Sequence, residues 1–194
     1  MKIVINIILL ALICLFSYWL VNSISEPIRF QEVKSKRAIV VQNKLKKIRT
    51  AEEIYRTITG EYAGSFDTLS LVLKRDSIPF VKLISDPDDP TNGDKFTKIV
   101  TYSAAIDSIK RLGINLDSLR YVPFAPANTT FDIAADTMTY QSTLVNVVEV
   151  GTPWKTFMGD YGDPRFKKYD AFYDPNKMLK FGDLNKPSVA GNWE

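Results

Sequence analysis

The longest apolar run opens the chain. Residues 3–21 read IVINIILLALICLFSYWLV, 19 positions without a charge. A helix of that length, at about 1.5 Å per residue, just crosses the ~30 Å hydrocarbon core of a bilayer. Tyr18 and Trp19 fall where an interfacial aromatic belt forms. The alternative is a cleavable signal peptide with Ser23-Ile24-Ser25 as its processing site. The length of the run and the bulky residues at its end favour an uncleaved anchor over residues 1–25.

Beyond the anchor the pattern changes from solid to periodic. Apolar residues recur at Phe30, Val33, Val41, Leu45, Ile48, Ala51, Tyr55 and Ile58, the three-or-four spacing of an amphipathic helix. No Gly or Pro interrupts the stretch from Ile28 to Thr59. Pro27 suits a first helical turn with Ser25 or Glu26 as cap, and Gly60 suits a C-terminal stop. Residues 26–60 are therefore expected as a helical stalk, on which Glu52 and Arg56 sit four apart as neighbours.

The remainder, 61–194, reads as one domain. Ser65 caps a helix to about Lys74. Residues 76–95, with Pro79, Pro87, Pro90 and Asn92-Gly93-Asp94, read as loop. Short alternating runs predict strands at 96–103, 120–124, 130–135, 143–150 and 178–181, with a helical turn over 106–112. Helices first and strands later argue for an α+β fold: an antiparallel sheet packed on the C-terminal half of the stalk, around Ile48, Tyr55 and Ile58. Residues 151–194 carry Trp154, Phe157, Tyr161, Phe166, Tyr169, Phe172, Tyr173, Phe181 and Trp193 among turn formers. That tail is expected to wrap the sheet, or else to present an aromatic docking surface.

Charge sharpens this division. Between Arg29 and Arg56 stand nine Lys/Arg and three Glu, a balance of +6 against +3 for the whole chain. The basic character belongs to the stalk. It is either a solvated helix face or an attraction for anionic headgroups or an acidic partner. No groove-reading motif accompanies it, so nucleic acid is not expected as a partner.

The chemistry of the side chains is sparse. The chain has no His, and its one Cys, Cys14, lies in the apolar run. These counts exclude an intrachain disulfide, a Cys/His catalytic pair and a cysteine-based zinc site. No phosphate loop or nucleophile elbow is found. The acidic cluster Asp86, Asp88, Asp89, Asn92 and Asp94 could offer oxygen ligands to Ca²⁺, as could Asp160 and Asp163, but neither has the spacing of an EF-hand. No catalytic residue, cofactor or metal is expected.

One tripeptide recurs: Asp, then Ser or Thr, then an apolar residue, at Thr68, Ser77, Ser108, Ser118 and Thr137. Asp and Ser/Thr favour turns and helix starts, so local capping is one explanation.

The layout as a whole resembles type IV pilins and type II secretion pseudopilins. The resemblance covers roughly residues 1–75: an apolar span continues into Lys44-Leu-Lys-Lys-Ile-Arg-Thr-Ala-Glu-Glu-Ile-Tyr and then Thr59-Gly-Glu-Tyr-Ala-Gly-Ser-Phe-Asp-Thr-Leu. Lys2-Ile3-Val4 carries neither the Gly nor the early Glu of that family, which speaks against pilin-type processing. The chain through Gly191-Asn192-Trp193-Glu194 is also similar to a family of single-span envelope proteins in Bacteroidota. The recurring tripeptide is similar to the O-glycosylation motif of periplasmic and surface proteins of that group, which makes Thr68, Ser77, Ser108, Ser118 and Thr137 candidate glycan sites.

Orientation is pulled two ways. Arg29, Lys34, Lys36 and Arg37 follow the span, and a positive-inside count places the domain in the cytoplasm. Glycosylation requires export, and on that ground an inner-membrane protein with a periplasmic domain is expected. The function expected is a non-enzymatic structural or interaction protein, a pilin-like subunit or scaffold. Its partners would be the bilayer, through residues 3–21, and envelope proteins, through the stalk or the aromatic tail. A ligand-sensing module is the alternative, and a glycan-acting enzyme a more distant one.

Overall fold

The computed structural model describes residues 2–85 and 96–194. Its spine is α1 (Lys2–Thr59), one continuous helix of 58 residues. Gly60 ends it at φ 88°, and its amide donates to the carbonyl of Arg56 at 2.8 Å. The left-handed conformation there favours glycine.

The expected helix start at Pro27 is corrected: Pro27 lies inside α1. A proline there offers no amide hydrogen to the carbonyl of Ser23 and ordinarily kinks or breaks a helix. The helix continues because residues on both sides of the proline are tied to one tail residue, Tyr169, as described below.

Four helical and five strand segments follow among the described residues. Helix α2 (Phe66–Arg75) starts at Ser65, whose hydroxyl accepts from the Thr68 amide. Strands β1 (Ser77–Ser85) and β2 (Phe96–Ala104) form an antiparallel ribbon. Then come α3 (Ala105–Arg111) and α4 (Leu116–Leu119). Strands β3 (Asp132–Tyr140), β4 (Thr143–Pro153) and β5 (Met178–Gly182) make a second antiparallel sheet in the order β3-β4-β5. Between β4 and β5 lie α5 (Trp154–Met158) and two 3-10 turns, Gly159–Gly162 and Pro164–Tyr169.

The fold is α+β, with the expected antiparallel sheet and a second, two-stranded one. Two local expectations need correction. The supposed loop from 76 is strand β1 as far as Ser85. Pro79 is tolerated because β1 has a single neighbour, so its missing donor faces an open edge. The expected strand over 120–124 is instead the exit of α4 followed by one bridge, Tyr121 with Thr130. Phe124 there has φ 62°, which a continuing strand does not permit. The acidic cluster Asp86, Asp88, Asp89, Asn92 and Asp94 lies outside the described residues.

The core forms around α1. Phe30, Val41, Leu45, Ile48, Ala51 and Tyr55 are buried in one cluster with Leu69 and Leu73 of α2, Val148 and Val150 of β4, and Phe181 of β5. The period read from the sequence is thus the buried stripe of the helix. The domain also reaches further down the helix than the sheet alone would, because the tail packs on its lower half. Phe30 is stacked on Phe166, with centroids 5.5 Å apart and planes 4° from parallel. Tyr173 meets Phe30 edge-on at 5.0 Å. Tyr161, Phe166, Tyr169 and Tyr173 of the tail therefore close on the helix, while its last residues, Ala190 to Asn192, bond along β5 of the sheet.

The lower part of α1 is different. From Ile3 to Val21 every residue is exposed, Trp19 to 73% and Ile3 to 74%.

Candidate functional site

Five of the basic side chains on α1 bond to the rest of the domain. Arg37 donates to the carbonyl of Phe157 at 2.7 Å, Lys44 to Ser118 at 2.6 Å, and Lys47 to Gly113 at 2.8 Å. Arg49 reaches the carboxylate of Glu194 at 2.9 Å. Arg56 donates to the Tyr62 hydroxyl at 3.0 Å and lies over its ring. Gly113 and Ser118 lie at the C-terminal ends of α3 and α4, where free carbonyls favour cations. These five basic residues are fasteners, while Arg29, Lys36 and Lys46 of the same stretch stay exposed.

The expected Glu52–Arg56 neighbour pair does not form. Glu52 turns inward to 1% exposure and accepts from the Ala63 amide at 2.9 Å through Oε2. Burial pushes its carboxyl up to about 7, against a smaller opposing effect of the Ala63 bond. Arg56 turns outward to Tyr62 instead.

A cleft of about 290 Å³ lies between α1 and the α3–α4 region, near Val40, Asn43, Lys44 and Lys47. Both of its ammonium groups already serve carbonyls, as above. Desolvation, with some help from nearby Lys47, holds the Lys44 ammonium below its usual value.

At the lower end of the domain the tail forms a collar. The Tyr169 hydroxyl donates to the carboxylate of Glu26, and its carbonyl accepts from Gln31 Nε2 at 3.3 Å. One residue thus bridges positions before and after Pro27. Next to it, Lys34 is ion-paired with Asp170. That bond holds the Asp170 carboxyl below its usual range. The Lys34 ammonium also lies 5.7 Å from the centre of the Trp154 ring and 5.9 Å from that of Tyr173. Phe172, between these anchors, is 93% exposed. The aromatic density of the tail was visible in the sequence. Tyr169, Glu26 and Gln31 were not, because nothing local links positions about 140 residues apart.

The five candidate hydroxyls are spread over the domain. Thr68, Ser77, Ser118 and Thr137 are exposed and Ser108 is half-buried. In four of the tripeptides the third residue is core: Leu69, Ile78, Ile109 and Leu119. The caps of α2 and α4 are Ser65 and Asn115, so Asp67 and Asp117 act as first-turn acids rather than caps. Asp163, in the second acidic loop, caps the 3-10 turn by accepting from the Arg165 amide at 2.8 Å.

No family model, curated protein or solved structure matches this chain. The functional reading therefore stands on the chain's own geometry.

Proposed function

We propose that this is a non-enzymatic, single-pass protein of the cell envelope, anchored through residues 3–21, with a periplasmic domain that acts as a pilin-like subunit or scaffold. The observation that carries the reading is α1 itself. Its first part is an uncovered apolar rod and its second part is the central core helix of the domain. So much contiguous exposed apolar surface requires a lipid or protein cover.

Partner contact in this reading falls to the β1–β2 ribbon. Val81, Val100 and Tyr102 share one face of it, Phe80 and Ile99 the other, and all five are exposed. A ribbon apolar on both faces is suited to insertion between protein surfaces. The periplasmic side is supported by the exposed hydroxyls of Thr68, Ser77, Ser118 and Thr137, which a glycosyltransferase could reach.

The test is membrane fractionation and external protease treatment of spheroplasts from the native host, followed by intact-mass measurement. The expected product resists carbonate extraction, is cut by external protease and carries added sugar mass. A carbonate-soluble chain overturns the anchor, and a protease-protected one overturns the periplasmic orientation.

A further inference from the structure

The collar and the apolar rod meet at one place. Trp19, Ser23 and Glu26 of α1 and Lys168 and Tyr169 of the tail line a cavity of about 240 Å³. Its two walls differ in character. The helix wall continues downward into the exposed apolar run, through Leu20 and Phe16. The tail wall ends in the Lys168 ammonium, 4.6 Å from the centre of the Tyr169 ring.

Depth follows from helix geometry. If residues 3–21 fill the hydrocarbon core, Glu26 stands roughly 7 Å beyond its edge at about 1.5 Å per residue. The headgroup layer of one leaflet is about 5–7 Å thick. Tyr169, which bonds to Glu26, and Lys168 beside it in the same cavity are therefore at the outer edge of the headgroup level.

We propose that this cavity binds the headgroup of an anionic phospholipid, an inference that rests on the anchored reading above. The phosphate sits against the Lys168 ammonium and the acyl chains run down the uncovered face of α1. Trp19 lies at the junction, the depth at which indole rings settle. Arg29, one turn above Glu26, and Arg165, over the Phe166 ring, add positive charge nearby. The Glu26 carboxylate opposes them in part, but it is already engaged by the Tyr169 hydroxyl. A small free anion would use the polar wall only, whereas a phospholipid uses both.

The experiment is native mass spectrometry of the full chain in detergent, titrated with phosphatidylglycerol, phosphatidylcholine or inorganic phosphate. The variants are Lys168→Glu and, as a control on an exposed lysine of α3, Lys110→Glu. Phosphatidylglycerol should bind more tightly than phosphatidylcholine, and Lys168→Glu should weaken it about tenfold. Lys110→Glu should leave it unchanged. Equal binding to Lys168→Glu, equal affinity for the two lipids, or displacement of the lipid by inorganic phosphate would each overturn the site. Carbonate extraction of the same variants separates the two ideas. A chain that stays in the membrane but shows no lipid preference loses the headgroup site alone, and a chain that is extracted loses the anchor.

Discussion

Glu52 accepts a hydrogen bond from the backbone of Ala63, at 2.9 Å, while its second oxygen, Oε1, is buried without a partner among the described residues. The bond pins the turn after α1 to the helix, and the orphaned oxygen makes a charged carboxylate costly there.

That cost should be read out by pH. Folded Glu52 titrates at about 7 against a usual 4.5, so the folded chain holds this proton more tightly than the unfolded one. Its contribution is most favourable below pH 4.5 and worsens as pH rises to about 7, by about 3 kcal/mol at most. Glu52→Gln should remove that dependence, making the variant more stable than the parent at pH 8 but not at pH 4. Denaturant midpoints of the two proteins across this range test it. A difference that does not change with pH would show that burial leaves the carboxyl at its usual value.

Phe30 is fully buried under four rings of the tail, Tyr161, Phe166, Tyr169 and Tyr173. Phe30→Ala should cost about 3–5 kcal/mol and lower the melting temperature of the full chain in detergent. Phe172→Ala, at the exposed ring, should change stability by less than about 0.5 kcal/mol. Similar effects of the two would mean that the rings do not close on Phe30.

Gly182 has φ +76°, and a Cβ there would lie 1.9 Å from the Val148 carbonyl oxygen. Gly182→Ala should therefore be among the most damaging single-carbon additions, through both strain and the forced separation of β5 from β4. A melting temperature within a degree or so of the parent would contradict the close approach.

Tyr169→Phe keeps the ring and deletes the bond to Glu26. It should cost about 1 kcal/mol. It should also loosen the helix at Pro27. Cys14, the only cysteine, accepts a spin label directly, and Ser118→Cys provides a second site on the exposed surface. The distance distribution between the two labels should be narrow in the parent and broad in the variant. Equal widths would show that Tyr169 does not brace the proline.

Much of this architecture was written locally. The apolar run, the buried stripe from Phe30 to Tyr55, the Ser65 cap and the Gly60 stop depend on neighbours within a few residues, and periodicity exposes such dependence. Strand β1 was hidden because three prolines in 76–95 read as loop, whereas a two-stranded ribbon has open edges that admit one of them. Glu52 looked like a surface acid because its burial depends on the turn at Ala63 folding back over it. The partners of the basic residues on α1 were equally hidden. Carbonyls of Phe157, Gly113 and Ser118 attract cations whatever the side chain at those positions, so composition carries no trace of them.

The unbroken course of α1 through Pro27, braced on both sides by Tyr169, turns a tether into a lever. If residues 3–21 cross a bilayer, as proposed, there is no swivel between span and core, and the domain takes its orientation from the tilt of that segment. From Val21 to Thr59 the arm is roughly 57 Å at about 1.5 Å per residue. A change of about 20° in span tilt, within the ordinary range for such helices, would sweep the far end through roughly 20 Å. Bilayer thickness or a neighbouring helix could in this way set where the outer edge of the protein points, with no internal change in the domain at all.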